Sequence, residues 1–248
     1  MATIRVFNDL ESMAEEIASI WCDKIQQAEK TDDVFSVVLS GGATASLVYR
    51  NLANLNSLES IYWERVHIFW ADERCVSPEH EDSNYLNIQR TFLSDIQIPE
   101  KNIHRVRGEK EPSGESLRYE KEIINHLALR KDERKLFDWV LLGVGSDGHT
   151  ASLFPGQESL LDTQRLCAVV EHPVTGQKRI TLTPCALKRS GRVTYHVAGS
   201  GKAAVVSDLV SENSKNQRFP TGYIEGEWFL DTAAAAKINS SGIESGNS

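Results

Sequence analysis

The chain has few cysteines, no excess of positive charge and no long apolar run, and each shortage excludes a class of protein. Its four cysteines form no CxxC pair and no cluster with metal-ligand spacing, so we expect reduced thiols in a cytoplasmic protein. The net charge of −8 argues against a nucleic-acid partner or an anionic membrane surface. No run approaches the ~18 apolar residues of a membrane span, and the acidic first twenty residues do not resemble a signal peptide.

Short apolar segments alternate with segments of helical period along most of the chain. Strands are predicted at residues 34–39, 66–70, 137–144, 166–171, 179–183 and 193–198. Helices are predicted at 10–29, at 44–55 with Thr44 as the cap, from 83 onward, at 114–130 and at 201–212. Strands that are apolar throughout indicate a sheet covered on both faces. We therefore expect an α/β protein with a three-layer α/β/α, open, mainly parallel, Rossmann-like sheet.

No repeat or linker divides the chain, so we predict a single domain over residues 1–237. The segment 238–248 (INSSGIESGNS) has little to bury and is predicted to be a disordered tail.

Three polar turns follow three of the predicted strands: SGGAT at 40–44, DER at 72–74 and GSDGHT at 145–150. Ligands of open parallel sheets bind beyond the carboxyl ends of the strands, so the three turns are expected to share one site. Gly41 and Gly42 free backbone N–H groups to face an anion, and the following helix adds its positive end. The alternative is a tight strand-to-helix turn that binds nothing.

Three cations near these turns suit a phosphate group. Arg74 has a planar, forked guanidinium, Lys202 in GSGK lies near a helix start, and Arg179 opens a later strand. The alternative interpretations are a surface salt bridge for Arg74 and a solvated side chain for Lys202.

His149 is the side chain best suited to take and give a proton near neutral pH. Asp147, two residues earlier, is placed to hold the other ring nitrogen and fix the tautomer. The other histidines are interpreted as structural or incidental: His67 and His196 lie inside apolar strands, and no constellation is expected around His80, His104, His126 or His172.

Residues 143–148 also match the dinucleotide fingerprint G-x-G-x-x-G. That fingerprint needs a long helix that starts at the turn, and Pro155 comes too soon to allow one. We therefore reject it. G-x-S-x-G and HExxH are both absent, so neither a serine nucleophile elbow nor a metalloprotease-type zinc site is indicated.

Taken together, these segments resemble the 6-phosphogluconolactonases, in a superfamily shared with glucosamine-6-phosphate deaminases. The matching segments occur in family order along nearly the whole chain: SGGAT (40–44), WADER (70–74) with SNY (83–85), GVGSDGHTASLFPG (143–156), RITLT (179–183), VAGSGKA (197–203) and WFLDTAA (228–234). The resemblance implies hydrolysis of 6-phospho-D-glucono-1,5-lactone in the oxidative pentose phosphate pathway, with no metal or organic cofactor and a sugar-phosphate lactone as the partner. A monomer is expected, since family members are often monomeric.

By the family pattern, His149 would activate the attacking water and Asp147 would orient it. Arg74 and Lys202 would hold the 6-phosphate, with Arg179 nearby on the ligand. The backbone of the glycine loop would complete that phosphate site, through Gly41, Gly42, Ala43 and Thr44.

Two departures from the family patterns bear on the activity. The glycine loop usually continues with proline, where this chain has Ala45, and we expect only a looser helix start. The deaminases typically read DGHIAFNEP where this chain reads DGHTASLFP, which places Phe154 at their glutamate, and they carry tyrosine where Arg74 stands. Asp72, the position of their proton-shuttling base, is retained and is taken as a substrate-binding residue. These differences favour the lactonase, and a sugar-phosphate isomerase or deaminase stays as the alternative.

Overall fold

The computed structural model describes residues 3–54, 61–127, 134–210, 219–238 and 244–245. Its helices are α1 (Leu10–Lys30), α2 (Ala43–Ala53), α3 (Asn84–Thr91), α4 (Pro112–Leu127), α5 (Pro184–Lys188) and α6 (Ala203–Val210). Its strands are β1 (Ile4–Phe7), β2 (Phe35–Leu39), β3 (Val66–Trp70), β4 (Asp72–Arg74), β5 (Ile103–His104), β6 (Trp139–Leu142), β7 (Cys167–Glu171), β8 (Lys178–Leu182), β9 (Val193–Val197), β10 (Glu227–Asp231) and β11 (Glu244–Ser245).

Eight strands form one parallel sheet in the order β11-β1-β10-β9-β6-β2-β3-β5. Each of its pairings is parallel, as in β2 against β3, where Phe35 lies opposite Val66 and Leu39 opposite Trp70. The central strands β2, β3, β6 and β9 are buried along their whole length. The predicted three-layer α/β fold with a mainly parallel sheet is therefore confirmed.

Successive side chains of a strand point to opposite faces of the sheet. In this sheet both faces carry buried apolar side chains, and helices cover each of them. On β3, the Phe69 ring lies 6.4 Å from Tyr119 of α4. The next residue, Trp70, lies 5.8 Å from Tyr85 of α3. On that second face α1 packs against α2 and α2 against α3. Burial of each ring such as Phe69 contributes about 1.5–3 kcal/mol, so both layers stabilise the sheet.

A second, antiparallel sheet of three strands, in the order β4-β8-β7, stands beside the first. Two strands predicted for the parallel sheet, at 166–171 and 179–183, belong to it instead. The chain passes between the sheets at Ala71, whose N–H donates to Leu39 (2.8 Å) and whose carbonyl accepts from Leu182 (2.7 Å). This bend carries Asp72–Arg74 from the end of β3 directly into the small sheet.

Side chains cap the starts of α1, α3 and α5, and the start of α2 differs from the prediction. The Asp9 carboxylate accepts from the N–H of Ser12 at the start of α1, and Ser83 Oγ accepts from Leu86 at the start of α3. The predicted cap Thr44 is wrong: the N-cap of α2 is Gly42, with φ +110°, and Thr44 lies in the first turn.

The strands β1 and β10 were not predicted, and they pair with each other in the parallel sheet. In the segment predicted as a disordered tail, the structure describes Ile238 and the two-residue strand β11, which pairs with β1. The rest of that segment lies outside the described residues, as do the predicted helix ends at 55, 128–130 and 211–212. Within the described ranges, no helix combines the length and apolar character needed to span a membrane.

Candidate functional site

One cleft lies at the carboxyl ends of β2, β3, β6 and β9, where the predicted turns meet. Nine of the ten predicted site residues line it: Gly41, Gly42, Ala43, Thr44, Asp72, Arg74, His149, Arg179 and Lys202. The tenth, Asp147, contacts His149 from behind. The shared edge of a parallel sheet thus brings together residues that are up to 161 positions apart in the chain, from Gly41 to Lys202.

The glycine loop between β2 and α2 requires glycine at two successive positions for different reasons. A Cβ on Gly41 would lie 1.9 Å from Oδ1 of Asn84, so only a residue without a side chain fits there. Gly42 adopts φ +110°, a conformation that L-residues rarely reach. The N-cap Gly42 supplies no capping side chain. The N–H groups at the positive end of α2 are therefore open to the cleft, as an anion site requires.

Arg74 and Arg179 lie directly opposite each other across the β4–β8 ladder. Like charges in such a pair destabilise a sheet, so this placement is typical of a site that binds an anion. Arg74 Nη1 donates to the carbonyl of Asp82 (2.6 Å), whereas the buried Nε atoms of both arginines have no hydrogen-bond partner within the described residues. Burial, and then the charge of Arg74, lower the pKa of Arg179.

Lys202 supplies the third cation from the 3₁₀ turn Ser200–Lys202 that precedes α6. Among the described residues, no carboxylate comes within 4.0 Å of its ammonium group. Burial lowers the pKa of Lys202, and the charge of Asp147 acts in the opposite direction. The ammonium is therefore partly desolvated and is available to an anionic ligand.

His149 is held by Asp147 in one orientation. The imidazole Nδ1 lies 2.6 Å from Asp147 Oδ1, and the backbone N–H of His149 donates to the same oxygen at 3.2 Å. Although burial raises the pKa of Asp147, the charge and hydrogen bonds of His149 bring it below its ordinary value. The ionised carboxylate accepts the Nδ1 proton, which leaves Nε2 as a base.

Close packing fixes the backbone around this histidine. Gly148 has φ +79°, and a Cβ there would lie 2.2 Å from the Phe219 ring. Its carbonyl accepts a 2.7 Å hydrogen bond from Thr221 Oγ1. The buried ring of Phe154 lies 5.0 Å from the His149 ring and 5.7 Å from the guanidinium carbon of Arg179. Phe154 thus packs against both His149 and Arg179.

Sequence reasoning did not identify Asn84 and Ser152 as site residues, although both hold Asp72. Ser152 Oγ donates to Asp72 Oδ2 at 2.6 Å, and Asn84 Nδ2 donates to the Asp72 carbonyl at 2.9 Å. Arg179 Nη1 reaches Ser152 Oγ at 3.4 Å. Both residues lie inside quoted segments, SNY and DGHTAS, which is the signal that could have identified them.

Glu73 was also missed, although it organises this side of the cleft. Its side chain is 2% exposed and accepts from the N–H groups of Arg74, Asn84 and Tyr85 and from Ser83 Oγ, at 2.7–3.1 Å. Burial raises the pKa of Glu73 in spite of these bonds. The carboxylate fixes the start of α3 against β4 and so positions Arg74.

The expectation that no constellation surrounds His104 and His126 is wrong. Ring nitrogens of His67, His104 and His126 lie within 4.8 Å of one another. The three come from β3, β5 and α4, and none of them lines the cleft described above.

The geometry of the cleft suits one kind of chemistry. Three cations and a helix start converge on a region that can hold a phosphate. A carboxylate-oriented imidazole stands beside them as a general base. The arrangement can therefore bind a phosphorylated small molecule and activate a water molecule to attack that molecule.

Comparisons with known proteins identify the family of this chain. The sequence pattern of the family described as glucosamine-6-phosphate isomerases/6-phosphogluconolactonase matches residues 8–230. The 6-phosphogluconolactonase of Aggregatibacter actinomycetemcomitans is 40% identical over 204 residues, which cover 80% of this chain and 85% of that protein.

Solved structures give the same result. The crystal structure of a protein named devB superposes with a TM-score of 0.86 and 35% identity, covering 96% of this chain and 100% of that one. The 6-phosphogluconolactonase of Thermotoga maritima superposes with a TM-score of 0.78 and 26% identity, covering 93% of this chain and 100% of its own. This chain therefore belongs to the family of glucosamine-6-phosphate isomerases and 6-phosphogluconolactonases.

Proposed function

We propose that this chain hydrolyses 6-phospho-D-glucono-1,5-lactone to 6-phospho-D-gluconate in the oxidative pentose phosphate pathway. The observation that carries the proposal is the cleft in which the Asp147–His149 pair faces Arg74, Arg179 and Lys202. The curated relatives in the comparison are named for this activity. A lactone carbonyl is already electrophilic, so a positioned water and a base suffice for its hydrolysis.

His149 acts as the general base. Because Asp147 holds Nδ1, Nε2 takes a proton from the water molecule as its oxygen bonds to the lactone carbonyl carbon. The tetrahedral intermediate then collapses with cleavage of the bond to the ring oxygen, and the imidazolium returns the proton to that oxygen. General base catalysis of this kind contributes about 10²–10⁴-fold to the rate.

The three cations bind the 6-phosphate at a distance from the reacting carbonyl. Arg74 and Arg179 each have a buried Nε without a partner within the described residues, so a phosphate between them relieves both their repulsion and their unmet hydrogen bonding. Lys202 and the backbone of residues 41–44 complete the phosphate site. Binding energy at the phosphate orients the carbonyl toward His149.

Asp72 lies on the floor of the same cleft, and we assign it to substrate binding. Ser152 and Asn84 already occupy part of its hydrogen-bonding capacity, and its remaining lone pairs can accept from a sugar hydroxyl. Asp72 thereby orients the ring of the substrate.

The alternative function is a sugar-phosphate isomerase or deaminase on the same scaffold. Such a reaction needs a second acid–base group to assist ring opening, and Phe154 occupies the position where the resemblance places it. The Phe154 ring is 2% exposed and packs against His149, so it offers no proton. This observation favours the lactonase.

The test is a coupled assay with the His149→Ala variant. Glucose-6-phosphate dehydrogenase generates the lactone in situ, and its disappearance is followed against spontaneous hydrolysis with chelator present. We expect strong acceleration by the wild type and a loss of about 10²–10⁴-fold in kcat for the variant. Asp147→Asn, which keeps the shape but no longer fixes the tautomer, is expected to lose part of the same factor with little change in KM.

Two outcomes would contradict the proposal. Full lactonase activity in His149→Ala would remove this residue as the base. Release of ammonia or fructose 6-phosphate from glucosamine 6-phosphate, without acceleration of lactone hydrolysis, would support the alternative function.

We further propose that the chain acts as a cytoplasmic monomer. The base, its orienting carboxylate and the three cations that the proposed reaction uses all belong to a single chain, so the proposed mechanism does not call for a residue from a second copy. The four cysteines are free thiols, as a reducing compartment allows. Light scattering at assay concentration should give the mass of one 27.7 kDa chain, and a dimer mass would contradict the proposal.

A further inference from the structure

We propose that His67, His104 and His126 form a binding site for a divalent transition-metal ion of the zinc type. The cluster lies at the interface of β3, β5 and α4. His67 is the second residue of β3, whereas the catalytic cleft lies beyond the opposite end of that strand. The proposed site is therefore separate from the lactonase machinery and does not depend on that function.

The positions of the ring nitrogens suit a single ion. One nitrogen from each histidine lies within 4.8 Å of the other two, and His67 Nδ1 lies 2.9 Å from His104 Nε2. Zinc–nitrogen bonds of about 2.0–2.1 Å in tetrahedral geometry place two ligand atoms about 3.4 Å apart. Ring movements of a few tenths of an ångström open the first pair, and a larger movement brings in His126. Three imidazoles with an open fourth position are a known zinc ligand set.

A carboxylate behind His104 fixes the tautomer that a metal requires. Glu122 Oε1 lies 2.8 Å from His104 Nδ1, and Arg118 pairs with the same carboxylate. The carboxylate is placed to accept the Nδ1 proton, so the lone pair of Nε2 faces the other two histidines, as in carboxylate–histidine–zinc arrangements.

Aromatic packing surrounds two of the three rings, and the third ligand, His67, comes from the adjacent strand β3. His104 stacks on Phe69 with ring centroids 4.3 Å apart, and the ring of His126 lies 5.0 Å from the same phenyl group. The His104 side chain is 12% exposed. Glu122 lines a surface cavity together with Arg118.

The test uses the full chain after treatment with chelator. Cobalt(II) is titrated in and followed by the visible absorption of its tetrahedral complexes, and zinc(II) is then used as the competitor. We expect one ion per chain. Glu122→Gln should lower the affinity by about 10–100-fold, the usual effect of losing such an outer partner, and His104→Asn should lower it further. The matched controls, His80→Asn and His172→Asn, remove histidines outside the cluster and should bind as the wild type does.

Two results would overturn the proposal: no saturable binding by the wild type, or unchanged affinity in both Glu122→Gln and His104→Asn. Either would show that the cluster is a hydrogen-bonded histidine group only. Circular dichroism checks the fold of each variant. Imidazole nitrogen resonances of the wild type give a second readout without mutation. Zinc should shift the signals of His67, His104 and His126 and leave that of His80 in place, and unshifted cluster signals would equally overturn the proposal.

Discussion

At the scale of single residues, the cross-strand pair of Arg74 and Arg179 is the clearest mark of function. Two guanidinium groups opposite each other do not stabilise a sheet, and burial together with the charge of Arg74 already lowers the pKa of Arg179. Asp82 contributes only a backbone carbonyl to Arg74. Such an arrangement is retained where an anion neutralises it, and in this chain the proposed anion is the substrate phosphate.

The change Arg179→Gln tests this interpretation. A hydrogen bond to a charged group contributes about 1.5–3 kcal/mol, so we expect KM for the lactone to rise roughly 10–100-fold with kcat nearly unchanged, because the contact is made equally in the ground and transition states. The free energy of unfolding should stay within about 1 kcal/mol of wild type, since a like-charge contact is lost as well. Steady-state kinetics and urea unfolding measure the two quantities.

Lys178 provides the matched control for Arg179, because it is an exposed cation one position earlier on β8. Lys178→Gln should leave KM unchanged. A fall in kcat with constant KM in Arg179→Gln would instead assign this arginine to the reacting centre.

Local motifs predicted the residues of the candidate site that lie near strand ends, such as His149 and Lys202. Asn84 and Ser152 also lie in such motifs, but the motifs do not show that these side chains act on Asp72, because the contacts join separate segments of the chain. The histidine cluster shows the same limit: 37 residues separate His67 from His104, and no local spacing connects them. Short-range patterns reveal chemistry within one turn, whereas tertiary packing decides which turns meet.

At the scale of secondary-structure elements, Glu73 links β4 to α3 and holds the rim of the cleft. It supplies acceptors to three backbone N–H groups, at Arg74, Asn84 and Tyr85. A buried carboxylate at a helix start also interacts favourably with the positive end of the helix. One side chain therefore fixes the angle between the small sheet and the helix that follows it.

We predict that Glu73→Gln destabilises the protein by about 1–3 kcal/mol, because the amide NH₂ would face buried N–H donors and leave at least one unpaired. Urea unfolding should show a lower midpoint with an unchanged slope. The control is Glu81→Gln, at an exposed position in the loop before α3, which should unfold as the wild type does. An equally stable Glu73→Gln would show that the four hydrogen bonds add little to stability.

Apolar runs predicted most of the strands and helices but not the partners of the strands. Residues 179–183 (RITLT) alternate polar and apolar side chains, which is more typical of an antiparallel sheet, but the pattern does not show that the partners of this strand are β4 and β7. The bend at Ala71 also leaves no mark in the sequence pattern, because a change from one sheet to the other needs only a rotation of the backbone. β1, with Arg5 in the middle of IRVF, was missed because it is short and not uniformly apolar.

At the scale of the whole molecule, the net charge of −8 opposes an anionic substrate. At the cleft the local potential is positive in spite of this net charge, since Arg74, Arg179 and Lys202 lie within one concave surface. Electrostatic attraction inside a cleft is stronger than on an open surface because water screens it less. The acidic remainder keeps other anions at a distance, so binding depends on the three cations acting together.

The pH dependence of global stability follows from His196, which lies on β9 in the centre of the sheet and is 1% exposed. Burial lowers the pKa of His196 from 6.5 to about 4, and neither ring nitrogen has a hydrogen-bond partner within the described residues. Between these two values the unfolded chain binds a proton that the folded chain does not, so stability rises with pH there. The contribution is complete above about pH 6.5 and is lost as the pH falls toward 4.

We therefore predict that the wild type loses about 2 kcal/mol of unfolding free energy through this one residue between pH 7.5 and pH 5. In His196→Asn this part of the pH dependence should disappear, while the acid transition of the carboxylates below about pH 4 stays. His196 lies on a central strand between β6 and β10, so the loss of stability is measured in global unfolding. Urea unfolding across this pH range, with the exposed His80→Asn as control, measures it. An equally steep decline in His196→Asn would show that the proton is taken up elsewhere in the molecule.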